Sequence, residues 1–385
     1  MNPFKRQLVL GAVMLAGPAA AAWWAYDQAR QARQSAQAAR EDLEQCRALA
    51  GEIEHLRHKP NLAGAEEFQL AILARLDEWA ARVSQETRHV LGHWPSAPAV
   101  GYTAGPRGSG TRMVQLGTVA PIGFDEFEPG PWLACYRQLG CRVVQAYRNH
   151  GRGVTLQQIR DALAAGEMPC DSLHGVFGEE FDPSNPDEAG RRFAVDTFGR
   201  EGELCRQLGG SLVVVHCSTI RHQGVPPAQR ARRVDQLKRS IEQLGQAGRQ
   251  IDVVYAFENL PAYHVIGSDV AELAGILRQV AAPATGLCFD TGHAHMVGGC
   301  AAAVAAASDR IVYVHASDNS GQADEHEMLT RGTLDVPGVA RALHGVGYDG
   351  TIMLEVFRSV AQLQAMIQAG LAQRLADMLR LASGE

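Results

Sequence analysis

IDVVYAFEN, residues 251–259, is an apolar run that stops on a carboxylate and an amide. A continuous run of this length, rich in β-branched and aromatic residues, suits a strand buried on both faces, as in a parallel sheet. Glu258 and Asn259 then sit where that strand ends. The same grammar repeats along the last two-thirds of the chain. SLHG ends near His174, LVVVHC on His216, GLCFDTGH on Asp290 and His293, IVYVHASD on His315 and Asp318, and TIMLEVF on Glu355. The polar stretch ADEHE adds Asp324 and His326. Parallel strands laid side by side would gather all these groups at one end of a sheet.

Working outward, strand-like and helix-like segments alternate from Thr111 onward. Strands are predicted at 112–120, 141–148, 170–176, 211–218, 251–259, 285–292, 310–317 and 351–357. Helices are predicted at 131–139, 155–165, 187–208, 227–247, 268–281, 299–307 and 335–345, with a last amphipathic helix at 359–382. Gly140, Gly209 and Gly248 stand where helices should close. Eight strand–helix units in roughly 275 residues fit a closed (β/α)8 TIM barrel, whose site lies at the carboxyl ends of its strands. A doubly wound open sheet is the alternative, but it collects its ligands at one switch point rather than on six strands.

The front of the chain reads differently. Residues 8–26, LVLGAVMLAGPAAAAWWAY, are uncharged and long enough to span a bilayer as a transmembrane helix, with Trp23, Trp24 and Tyr26 at headgroup level. Competing readings are a signal peptide cut near Ala20 to Ala22 and a true start further downstream. Lys5 and Arg6 favour an inside N-terminus, whereas Arg30, Arg33 and Arg40 pull the other way. The balance tips toward an anchored chain with an exported, periplasmic-type catalytic domain. Residues 27–94 form a helical stalk, amphipathic over 64–91 and open to a partner or to a second copy in a homo-oligomer. Residues 95–110, rich in Pro, Gly and Ser, are a linker, and 111–385 is the barrel.

Bulk properties narrow the functions. A formal charge of -6 leaves no basic footprint for nucleic acid. The eight cysteines are scattered without a CxxC pair, which argues against a disulfide framework or a cysteine-rich zinc site. His222, His264 and His344 fall outside the strand-end pattern and read as ordinary histidines. The run AQRARRVDQLKR, 228–239, reads as a solvated helix face.

The order strand–Glu-Asn, Asp-x-x-His, His-x-x-Asp, polar loop, strand–Glu resembles the xylose-isomerase-like barrel superfamily over roughly residues 111–385. That superfamily holds sugar isomerases and epimerases, sugar-phosphate relatives, and endonuclease IV-type abasic-site nucleases. The resemblance to the epimerase branch implies one divalent metal on Glu258, Asp290, His315 and Glu355, with His293 touching substrate or a ligand. The endonuclease IV branch implies three zinc ions and brings in His174, His216, His293, Asp324 and His326 as well. The chain departs from the pattern at Thr330, where a Gly-x-Gly-like turn would have its first glycine. It departs again at Glu179, Glu180 and Asp182, an acidic rim where a DNA-binding enzyme wants cations.

Carboxylates mixed with imidazoles suit Mn2+, Mg2+ or Zn2+. The first reading is a sugar or sugar-phosphate isomerase or epimerase. A metal-stabilised enediolate would form, Glu258 and Glu355 would move the proton, and His293 would assist. The second is a trinuclear zinc phosphodiesterase whose bound hydroxide attacks phosphorus. The third is a non-catalytic, membrane-tethered binding barrel. Asn259 is expected to hold Glu258 or a substrate hydroxyl, Arg331 either to meet a phosphate or to sit in solvent, and Asp318 to orient His315. If the chain stays extended past Asp290, His295 points away from the site.

Overall fold

Residues 114–221 and 225–384 are described by the structure, a computed structural model. The predicted anchor, stalk and linker, together with His222, lie outside the described residues. Among the described residues no helix is long and apolar enough to cross a membrane.

Eight parallel strands close on themselves in chain order, β1 (Gln115–Ile122), β2 (Val143–Arg148), β3 (Cys170–His174), β4 (Leu212–His216), β5 (Val254–Glu258), β6 (Thr285–Asp290), β7 (Ile311–Ala316) and β8 (Thr351–Leu354). Pairing of β1 with β8 shuts the barrel, so no open-sheet switch point exists. Val213, Val214, Val215, Tyr255, Ala256 and Phe257 are fully buried, which is why these runs carry no polar alternation.

The helices are α1 (Pro129–Gln138), α2 (Leu156–Gly166), α3 (Glu188–Leu208), α4 (Pro227–Ile251), α5 (Val270–Val280), α6 (Thr291–Val297), α7 (Cys300–Ala306), α8 (Val336–Gly345), α9 (Val360–Gln368) and α10 (Leu371–Ser383). Gly209 does close α3, with φ +92°. Gly248 does not close a helix, because α4 runs on to Ile251. A Cβ at Gly248 would stand 2.3 Å from the Val253 carbonyl oxygen, so glycine serves close packing there. The predicted last helix is two helices, broken at Gly370 with φ +81°.

One contact set fixes the end of β8. Trp132 and Tyr136 of α1 are fully buried. Trp132 Nε1 donates to the Arg358 carbonyl at 2.9 Å, and the Tyr136 hydroxyl donates to that of Val356 at 2.8 Å. The first helix therefore clamps the chain that carries Glu355.

Candidate metal centre

Strand register brings the candidate ligands together. His216 pairs with Glu258 across β4 and β5, and Asp290 pairs with His315 across β6 and β7. Leu354, the last residue of β8, pairs with Ala316, so Glu355 emerges beside His315. His315 Nδ1 lies 2.7 Å from Glu258 Oε1 and 2.8 Å from Glu355 Oε2. One ligand atom from each of Glu258, Asp290, His315 and Glu355 lies within 4.8 Å of all the others, and all four residues are buried. Ligands at about 2.0–2.2 Å from one ion stand up to about 4.4 Å apart, so a few tenths of an ångström of inward movement would let them share a cation.

Two further groups meet the same spacing, His174 with His216 and Glu258, and His293 with Asp324 and His326. Glu258 belongs to two of the three, with Oε1 toward His315 and Oε2 at 3.1 Å from His216 Nε2. Cys288 also stands near Glu258 and His315. Burial pushes its thiol up to about 12, so in the metal-free chain it is protonated at neutral pH.

The ring orientations suit metal binding. Three Nδ1–H groups donate to backbone carbonyls: His174 to Gly175 at 2.9 Å, His293 to Asn259 at 2.8 Å, and His326 to Glu355 at 3.0 Å. Each leaves Nε2 as the nitrogen facing the acids. The chain does not stay extended after Asp290. Asp290 caps α6, accepting the His293 amide on Oδ1 at 2.6 Å. That turn brings His293 inward, while His295 is directed to Thr333 Oγ1 at 2.8 Å.

The buried oxygens test whether cations fit. Glu258 Oε2, Asp290 Oδ2 and Asp324 Oδ1 are buried without a hydrogen-bond partner among the described residues. An orphaned buried carboxylate oxygen is costly. Every one of the three groups contains such an atom, and a divalent cation would satisfy each.

Electrostatics agree. Burial opposes ionisation of Glu258, yet His315 and His216 hold its pKa well below the usual carboxylate range. Burial likewise opposes ionisation of Glu355, and His315 pulls it down to about 2. Asp290 is pushed up to about 6, by burial first and by Glu258 and Glu355 next. Burial disfavours a charged His293, but Asp290 and Asp324 lift it to about 10. His326 reaches about 9, through Asp324 and Glu355 against burial. Burial drops His174 to about 4, which keeps it neutral. Metal-free, the site stores protons on His293 and His326 that a cation would displace.

Of the residues in the three groups, all except Asp290 and His315 line a cavity of about 770 Å³ that is also walled by Tyr147, Phe177, Arg221, Leu260 and Tyr263. Other predicted residues stand elsewhere. The Asn259 side chain bridges strand ends, Nδ2 donating to the Asp290 carbonyl at 3.0 Å and Oδ1 accepting the Asp290 amide at 2.8 Å. The Asp318 carboxylate accepts the amides of Gly332 at 2.9 Å and Leu334 at 3.0 Å, and so ties down the loop after β7. The partner of His315 Nε2 is instead the Gln145 Oε1, at 2.9 Å. Arg331 is half exposed beside Glu327 and does not line the cavity. Arg221 does line it and has no acidic partner among the described residues. Its guanidinium lies 5.2 Å from the Tyr263 ring centroid. Of the acidic rim, Glu179 and Glu180 are exposed, but Asp182 is buried against Arg233 at 3.0 Å. Arg233 thus departs from the solvated face expected of 228–239.

A sequence model of the family described as the xylose isomerase-like TIM barrel matches residues 118–381. The chain belongs to this family. An uncharacterized protein of Methanocaldococcus jannaschii is 26% identical over 187 residues, 48% of this chain and 63% of its own length. Among solved structures, 3-keto-D-glucoside 4-epimerase from E. coli is 17% identical with TM-score 0.55, over 68% of this chain and 99% of that one. D-allulose 3-epimerase from Methylomonas sp., in complex with D-allulose, is 20% identical with TM-score 0.52, over 71% of this chain and 97% of that one. At such identities the likeness to the solved structures speaks to the fold.

Proposed function

We propose that this chain is a divalent-metal-dependent isomerase or epimerase of a small sugar or sugar phosphate. The observation that carries the reading is the buried convergence of Glu258, Asp290, His315 and Glu355, of which Glu258 and Glu355 line the cavity. Manganese, magnesium or zinc would suit these donors. Bound there, the cation would act as a Lewis acid toward neighbouring oxygens of an α-hydroxy carbonyl substrate. Glu258 and Glu355 are ionised at neutral pH and come from strands well apart around the barrel. One would take the carbon-bound proton; the other, first protonated from solvent, would return a proton to the opposite face, or the newly protonated carboxyl would return it to the adjacent carbon. His293 would assist at a substrate oxygen. Tyr147 and Phe177 exclude water from one wall.

The test is exchange of a substrate carbon-bound hydrogen with solvent deuterium in the metal-loaded chain. Glu355→Gln should slow it about 100-fold or more, in line with loss of a general base. Equal exchange in the variant would remove the proposal.

A second reading has its own support. Three adjoining ligand groups, each with an orphaned carboxylate oxygen, suit three zinc ions and phosphodiester cleavage of the endonuclease IV kind. Exposed Glu179 and Glu180 at the rim stand against a polyanionic substrate. Metal analysis of the purified full chain separates the two readings: one ion per chain for the first, three for the second. The N-terminal anchor belongs to this proposal as well, and retention of the full chain in membranes after an alkaline wash tests it.

A further inference from the structure

The four histidines in these groups whose ring partners are fixed by hydrogen bonds divide by the nitrogen they present. His174, His293 and His326 present Nε2, because a backbone carbonyl, which can only accept, holds the proton on Nδ1. His315 is reversed. Its Nδ1 faces Glu258 and Glu355, and its Nε2 meets the Gln145 carboxamide. A carboxamide is ambiguous, since half a turn would replace the acceptor with a donor. Something must hold Gln145 in one sense.

A polar column inside the barrel does so. Gln145 Nε2 donates to Ser172 Oγ at 3.2 Å. Ser172 Oγ has one hydrogen and donates it to Asp171 Oδ1 at 2.8 Å. The Tyr313 hydroxyl lies 2.6 Å from Ser172 Oγ and donates to Asp171 Oδ1 at 3.0 Å. Thr351 Oγ1 donates to Asp171 Oδ2 at 2.9 Å. A carboxylate only accepts, so the direction of every bond above it follows: Ser172 must accept from Gln145, and Gln145 must then offer its oxygen to His315. Barrel interiors are ordinarily filled by branched apolar side chains. Gln145, Ser172 and Tyr313 are buried, and none of the column lines the cavity, so substrate contact does not explain them.

We infer that Gln145 is a positioning residue which, oriented by Ser172 and Asp171, keeps a proton on His315 Nε2 and so reserves Nδ1 for a divalent cation. The inference rests on the metal reading above, but not on the reaction assigned to it.

Zinc affinity of the full chain, measured by competition with a chromogenic chelator, tests it. Gln145→Leu should weaken binding 10- to 100-fold, as loss of an outer-sphere partner typically does. Gln145→Glu, which still offers His315 an acceptor, should restore most of that affinity. Ser172→Ala, which frees the carboxamide to turn, should fall between. In the zinc-loaded, 15N-histidine-labelled chain, His315 should show its proton on Nε2. Wild-type affinity in a folded Gln145→Leu overturns the inference while leaving the metal reading intact. If Gln145→Leu does not fold, wild-type affinity in Ser172→Ala overturns it, and so does a His315 proton found on Nδ1. A wild-type chain that binds no zinc overturns the metal reading and this inference together.

Discussion

His216 Nε2 lies 3.1 Å from Glu258 Oε2, yet that oxygen receives no hydrogen bond. The strand register forces the closeness, since the two residues pair across β4 and β5. A buried carboxylate oxygen held this close to an imidazole nitrogen, with no hydrogen bond to satisfy it, would be satisfied by a cation between them. Chelator-treated protein should therefore melt at a lower temperature than metal-loaded protein. A cation at 100 times its Kd stabilises by about 2.7 kcal/mol. Differential scanning calorimetry with chelator and metal re-addition measures this. Glu258→Gln should lose most of the response, and a wild-type melting point indifferent to metal would contradict the site.

The proton inventory gives a pH signature. His293 and His326 stand at about 10 and 9, against an ordinary 6.5. Both are raised, so in the metal-free chain their stabilising contribution is full below about pH 6.5. It is lost as pH climbs through 9 and then 10. On the three-zinc reading, cation binding at their group must release these protons, so affinity should rise with pH up to that range. An indicator dye should register proton release on adding zinc at pH 7, shrinking toward pH 10. Release that stays constant across that interval would contradict the assignment.

Arg221 separates a sugar phosphate from a neutral sugar. It is a cavity-lining cation without an acidic partner among the described residues, whereas Arg233 is neutralised by Asp182. A charge-assisted hydrogen bond contributes about 1.5–3 kcal/mol. Arg221→Ala should then raise KM about 10- to 100-fold for a phosphorylated substrate and leave that for a neutral one nearly unchanged. Steady-state kinetics on matched substrates decide it, and equal effects on both would refute a phosphate role.

The strand-end acids and imidazoles were legible because buried parallel strands write themselves as apolar runs, and a carboxylate or imidazole closing such a run stands out. Glu258, Asp290, His315 and Glu355 were readable for that reason. Gln145 was not, since one glutamine in VVQAYR is indistinguishable from a residue on a solvated strand face until the barrel closes around it. His295 does point away from the site, toward Thr333, but through a helix capped by Asp290 rather than along the extended chain assumed from sequence. Arg233 hid in a charge run because sequence shows charge density but not which face of a helix packs inward.

Asp182 and Arg233 supply a stability prediction. The carboxylate accepts from Arg233 Nη1 at 3.0 Å, from Thr219 Oγ1 at 3.0 Å and from Ser184 Oγ at 2.6 Å. Removing one partner of a buried pair costs about 3–5 kcal/mol, mostly from the charge left behind. Asp182→Ala should lose that much in urea unfolding. Adding Arg233→Met should recover part of it. A double variant no better than the single would show that the stranded arginine is not the source of the cost.

Thr330 tests whether the loop carrying Asp324 and His326 is strained. Its φ is +74°, a left-handed backbone that a β-branched residue strongly disfavours, and its side chain is exposed. His326 itself sits at φ +43°. The loop thus keeps the turn a glycine would adopt freely, with threonine in its place. Left-handed geometry costs a residue with a Cβ about 1–2 kcal/mol, and glycine returns about 0.5–1 kcal/mol of that through unfolded-state entropy. Thr330→Gly should therefore stabilise the chain by roughly 0.5–1 kcal/mol. Thr330→Ala, which keeps a Cβ, should gain less. Urea unfolding of the three proteins measures the order, and a glycine variant less stable than wild type would mean that the threonine contributes more than its backbone strain removes.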